Sequence, residues 1–179
     1  RDTPKNNGVQ YIEELNTHGG FQFASVQGRS IGMDRDRRWE KIQTAYSVMT
    51  GADTNKKTDL SPLDYVKEEY SKDIYDEFIT PVLFHESCSI KSDDSIFFIN
   101  FRPDRAKQIS LAFNDPQFEF FETPIRPNYY LCMSPYVNEE LPELPILFNR
   151  ESVKGTLSEF LSLNKVKQLK IAETEKYAH

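Results

Sequence analysis

The sequence predicts an α/β domain, single and built on a mixed, mostly parallel sheet flanked by helices. Helix-spaced apolar stripes alternate along the chain with short runs of β-branched and aromatic residues. Arginine-bearing turns twice stand between such a run and the helix that follows it. At 179 residues and 38% hydrophobic content, the chain is long and apolar enough to bury one sizeable core.

Tyr11, Ile12 and Leu15 follow the Asn7-Gly8 turn at helical spacing, and the pair Gly19-Gly20 stops that helix near His18. Residues 21–27 alternate and read as a strand running into Gly28. From Trp39, the residues Ile42, Ala45, Tyr46 and Met49 form one apolar stripe, which predicts a helix with Trp39 as its first core anchor. Ser61 and Pro62 supply an N-cap and a first-turn proline for a helix carrying Leu63, Val66 and Tyr70. Residues 81–84 start a strand. The run SIFFIN, 95–100, is a short apolar stretch rich in β formers and predicts a buried central strand. Pro103 opens the next helix, with Ala106, Ile109 and Phe113 on its inner face. Residues 129–133 and 145–148 read as strands, 156–163 as a helix, and 168–172 as a last strand.

A net charge of −6, with the basic residues scattered, excludes a polyanion-binding face, so no nucleic acid is expected as a partner. No apolar run approaches the roughly 20 residues that cross a bilayer, and no signal peptide is apparent, so a cytoplasmic protein with no membrane partner is expected. Cys88 and Cys132 lack CxxC spacing and read as reduced thiols. His18, His85 and His179 lie far apart with no paired-ligand spacing, so no metal site is expected in this chain. The opening RDTPKNNG and the closing ETEKYAH read as the edges of a fragment truncated at both ends.

One stretch concentrates charge. GRSIGMDRDRRW, residues 28–39, holds four arginines and two aspartates. Arg29, Arg35, Arg102, Arg105 and Lys176 each follow the carboxyl end of a predicted strand, where open α/β sheets gather their binding groups. Arginine presents a planar fork of donors that fits carboxylate or phosphate, and lysine adds a point charge. Together they suit a small, multiply charged anion. Arg37 and Arg38 read as solvated on the helix surface, with Asp34 and Asp36 securing the turn. For Arg102 and Arg105, pairing with Asp104 and holding a ligand both stay open.

The stretches GRSIGMDRDRRWEKIQTAY, FINFRPDRAKQ and IAETEKYAH, in that order, resemble the substrate-binding (phosphotransferase) domain of the cofactor-independent phosphoglycerate mutases. RDTP at residues 1–4 is similar to the second half of that family's DGRDTPP segment. The resemblance implies an isomerase interconverting 3-phosphoglycerate and 2-phosphoglycerate in glycolysis and gluconeogenesis. It implies that Arg1, Asp2, Arg29, Arg35, Arg102, Arg105 and Lys176 line the substrate site, with Asp2 orienting or deprotonating the accepting hydroxyl. It further implies an alkaline-phosphatase-like partner domain of the same parent chain. That domain would carry two Mn2+ ions and the phosphorylated serine, and would be absent from residues 1–179. No cofactor is implied within these residues, a monomer is expected, and the fragment alone is expected to be inactive. The chain departs from the family at Ser30 and Ile31, where two aromatics are common. A free-standing, non-catalytic module that binds a small phosphorylated carboxylate is the alternative.

Overall fold

A computed structural model describes residues 3–136, 144–149 and 153–172. Its elements in chain order are α1 (Gly8–His18), β1 (Ser25–Val26), α2 (Arg29–Gly32), α3 (Trp39–Met49), α4 (Pro62–Ser71), β2 (Val82–Leu83), β3 (Ser95–Phe98), α5 (Lys107–Asn114), β4 (Tyr129–Cys132) and α6 (Leu157–Leu163). The α/β class is as predicted. Among the described residues its sheet is two pairs, β1 antiparallel to β2 and β3 parallel to β4, and helix outweighs strand.

The main core forms where α3 and α5 lie over β3 and β4. Ile42, Ala45 and Tyr46 of α3 meet Ile109, Ala112 and Phe113 of α5, with Tyr130 and Cys132 of β4 beneath. Four hydroxyls are satisfied within and around this core. Tyr46 Oη donates to the Ile125 carbonyl (2.6 Å) and accepts from its N–H (2.8 Å). Ser110 Oγ and Tyr130 Oη share a hydrogen bond of 2.9 Å, and Tyr136 Oη donates to the Phe98 carbonyl at 2.9 Å. Such satisfied polar groups fix which residues face each other at little cost. Cys132 is buried and free, and burial pushes its thiol up to about 11, so it stays protonated.

A smaller cluster joins Ile12 of α1, Val66 of α4 and Ile79. The start of α1 is held by Asp76, whose carboxylate accepts the Gly8 N–H at 3.0 Å and the Tyr70 hydroxyl. Ser61 caps α4 by accepting the Asp64 N–H at 3.1 Å, as the Ser-Pro pair predicts.

Glu69, on α4, is 3% exposed, and its carboxylate accepts the Thr80 N–H (3.1 Å) and the Lys72 ammonium (3.3 Å). Burial alone raises its pKa, but the hydrogen bonds from Thr80 and Lys72 outweigh burial and leave it below the ordinary 4.5. With the folded pKa depressed, the stability this group contributes is complete above its unfolded pKa and disappears as pH falls through the folded value. Glu69→Gln is therefore expected to lower the melting temperature at neutral pH, with the gap to the parent protein closing as pH falls through the carboxylate range. Melting curves from pH 7 to pH 3 check this, and a constant gap between the two proteins would remove Glu69 from the acid response.

Four expectations are corrected. The 95–100 run is not buried on both faces: Ile96 and Phe98 pack on the core, while Phe97, Ile99 and Phe101 are 44%, 71% and 72% exposed. Among the described residues β3 pairs with β4 alone, and a two-stranded parallel ribbon buries only the face its helices cover. The helix foreseen at Pro103 starts at Lys107, because the Pro103 carbonyl first closes a turn by accepting the Ala106 and Lys107 N–H groups. Residues 145–148 contribute a single bridge, Ile146 to Cys132, and not a strand. Residues 168–172 form no strand; Leu169 and Ile171 are more than four-fifths exposed, so no sheet face sets their alternation.

Candidate functional site

Two connections build the site. The first leaves β1, turns at Gly28 and carries Arg29 on α2. Gly28 is required by close approach: a Cβ there would lie 2.5 Å from the Glu77 carbonyl oxygen and 2.6 Å from the Ile79 nitrogen. The same approach lets the Gly28 N–H reach the Ile79 carbonyl at 2.8 Å and brings Arg29 beside Glu77. Arg29 Nη2 stands 3.1 Å from Glu77 Oε2.

Between α2 and α3 the chain wraps around the fully buried carboxylate of Asp34. That group accepts the N–H of Asp36 (2.9 Å), the N–H of Arg38 (3.1 Å) and Arg38 Nε (2.7 Å). The turn places Arg37 at φ 57°, the left-handed region that side chains disfavour. Asp34 secures the turn, as the sequence suggests. Arg38 is more than a solvated helix residue, since its guanidinium also pairs with Asp34 and Asp36. A packed acid–base clip of this kind fixes the backbone on which Arg35 stands.

The second connection follows β3 and carries Arg102, Asp104 and Arg105 in one turn. Arg35 Nη1 donates to Asp104 Oδ2 at 3.1 Å, and Arg102 Nη2 lies 3.6 Å from the same oxygen. Arg105 Nη1 donates to the Met33 carbonyl at 2.9 Å, stitching the second connection to the first. Burial holds the Arg105 pKa below its usual value, and the positive fields of Arg29 and Arg35 lower it further against Asp104 and Glu77. Arg29, Arg35 and Arg105 are thus electrostatic neighbours, and Arg102 joins them through Asp104. Among the described residues, Asp104 and Glu77 are carboxylates that these four guanidinium groups meet.

These ion pairs are partly exposed, Arg29 by 34% and Arg35 by 27%, and pairs of that kind typically contribute about 0–1 kcal/mol. Arg102 is 68% exposed and is the most accessible of the four. Beside the cluster runs a groove of about 450 Å³, lined by Arg35 and Asp104 and walled by Trp39, Phe118 and Phe120.

Of the residues the sequence singles out, Arg29, Arg35, Arg102 and Arg105 come together, although their two connections leave separate sheets. Arg1, Asp2, Lys176 and His179 lie outside the described residues. His18 and His85 are surface residues. No group of three or more His, Cys, Asp or Glu side chains is placed to hold a metal ion among the described residues, and no helix there is long and apolar enough to cross a membrane. The sequence alone did not point to Glu77 or Met33. Neither carries a local signal, because each acts through a neighbour brought by folding. The sequence leaves the partners of Asp104 open, and the structure gives its carboxylate to two arginines at once.

The fold and this cluster describe a mixed α/β domain that presents convergent arginines from strand-to-helix connections. The chain belongs to the BPG-independent PGAM N-terminus family, whose model matches residues 1–138. It is 40% identical over 182 residues to a 2,3-bisphosphoglycerate-independent phosphoglycerate mutase of Helicobacter pylori, and 40% identical over 187 residues to that of Clostridium novyi. An enzyme of the same name from Methanosarcina barkeri is 40% identical over 190 residues. Each alignment covers the whole of this chain and 36% of the relative, so the chain spans about a third of their length. A crystal structure of Leishmania mexicana phosphoglycerate mutase at low cobalt concentration superposes with a TM-score of 0.66, covering 76% of this chain and 28% of that one at 24% identity, a likeness of fold.

Proposed function

We propose that this chain is the substrate-gripping domain of a cytoplasmic, monomeric 2,3-bisphosphoglycerate-independent phosphoglycerate mutase of glycolysis and gluconeogenesis, holding 2- or 3-phosphoglycerate while a second domain of the parent chain transfers the phosphoryl group. The observation that supports it most is the meeting of Arg29, Arg35, Arg102 and Arg105 around Asp104 and Met33 in a chain of this family.

The substrate carries a carboxylate and a phosphate, about three negative charges near neutral pH, and the four arginines with Lys176 and Arg1 match both ends. Charge-assisted, forked hydrogen bonds are the strong kind and fix orientation as well as position. Gripping the glycerate between loss and return of its phosphoryl group keeps the second step effectively unimolecular. Arginines beside the transferring group stabilise its oxygens as charge spreads over them. Asp2 orients or deprotonates the accepting hydroxyl. The serine that carries phosphate belongs to the second domain. So do the two manganese ions, for which the described residues offer no fitting ligand set.

Titration calorimetry of the chain against 3-phosphoglycerate, glycerate and inorganic phosphate tests this. Phosphoglycerate is expected to bind tightest, with affinity falling as salt rises, because the contact is mostly ionic. The chain with Mn2+ added is expected to show no mutase turnover. Equal affinity for the three ligands, or turnover by a rigorously purified sample, would defeat the proposal.

A further inference from the structure

We infer that Asp104 is a specificity-determining positioning residue: its one carboxylate holds Arg35 and Arg102 at a fixed spacing, so the site selects an anion with two charged ends over a lone phosphate. This rests on the function proposed above and adds the residue that sets its ligand preference.

The geometry is uneven. Asp104 is 19% exposed, whereas Arg102 is 68% exposed and stands on a long, flexible stem. The backbone beneath Arg102 is set, since its N–H donates to Asn100 Oδ1 at 3.0 Å and Pro103 follows it. Only the side chain is left to wander, and Asp104 Oδ2 tethers it at 3.6 Å. The same oxygen accepts Arg35 Nη1 at 3.1 Å, so one atom relates groups 67 residues apart in sequence (35 to 102). Asp104 is itself placed by the turn that the Pro103 carbonyl closes.

As an ion-pair partner Asp104 is partly exposed, and such pairs add little to stability. As a carboxylate among arginines it also repels any arriving anion. A residue that opposes the ligand's charge helps binding only through the arrangement it imposes, and this separates geometry from charge. Removing the charge makes the site more positive, which favours every anion and the more highly charged phosphoglycerate most, so a loss of phosphoglycerate affinity cannot come from the charge. Removing the tether harms only a ligand that needs two guanidinium groups at a set distance.

Asp104→Asn in the 179-residue chain is the test, with melting temperature measured alongside. Affinity for 3-phosphoglycerate is expected to fall at least 10-fold, while inorganic phosphate binds as well as before or better. Asp104→Glu, which restores charge on a longer arm, is expected to recover part of the preference. If Asp104→Asn keeps the parent protein's preference, or if both ligands weaken together with a drop in melting temperature, the inference fails and the proposed function survives. If the unaltered chain itself shows no preference for phosphoglycerate over phosphate, the proposed function fails first.

Discussion

Replacing Arg105 with alanine in the full-length protein is expected to lower kcat/KM for phosphoglycerate interconversion by roughly 10- to 150-fold, the equivalent of about 1.5–3 kcal/mol for one charge-assisted contact. Arg105 is chosen over Arg102 because it does two jobs. Its Nη1 donates to the Met33 carbonyl and so joins the β3–α5 connection to the α2–α3 connection. Its guanidinium also sits within the fields of Arg29 and Arg35, at the centre of the positive charge. Under the proposed function, losing it removes a ligand contact; it also leaves the Met33 carbonyl without that donor, so the two connections lose register. Arg102→Ala is expected to act in the same direction but less strongly, since that side chain is more exposed and meets the first connection only indirectly, through Asp104, among the described residues. Arg105→Lys keeps the charge while giving up the planar fork, and is expected to fall between parent and alanine variant. Steady-state kinetics on the three variants, ranked in that order, checks this; near-native kcat/KM for Arg105→Ala would remove Arg105 from the site.

Most of the longer helices were legible because they announce themselves locally, while the single turn of α2 was not and α5 begins four residues beyond Pro103. Trp39 to Met49 repeats apolar residues at three- and four-residue steps, and Ser61-Pro62 and Thr156 cap the helices they precede. Strands were less legible, for a physical reason. A strand's burial depends on what lies on either side of it, and the run from Ser95 to Asn100 says only that it is apolar. Its exposure at Phe97 and Ile99 comes from a sheet face left uncovered among the described residues, which no residue of the run encodes. That the arginines meet could be read because all four follow predicted strands. Their counter-groups could not, because Glu77 reaches Arg29 across 48 residues (29 to 77) and Met33 contributes only a carbonyl, which every residue has.

Asp34→Ala is expected to cost about 2–4 kcal/mol of stability, near the low end of what breaking a buried charge pair costs and a large share of a typical domain's total. The carboxylate is fully buried and accepts two backbone N–H groups and Arg38 Nε. Alanine leaves the two N–H groups unpaired inside the protein and strips Arg38 of its buried partner. The cost stays below the upper range because Arg38 is 46% exposed and keeps Asp36 at 2.6 Å. For a chain of this length that loss corresponds to roughly 5–15 °C in melting temperature. Asp34→Asn retains an acceptor oxygen for the backbone groups while losing the charge, and is expected to cost less than alanine. The clip also holds Arg37 in its left-handed conformation and so aims Arg35 toward Asp104. Phosphoglycerate affinity should therefore fall in Asp34→Ala even at temperatures where the protein remains folded. Melting curves paired with calorimetry at 10 °C distinguish the two effects, and an Asp34→Ala protein that melts within 2 °C of its parent would show that the turn stands without its acid.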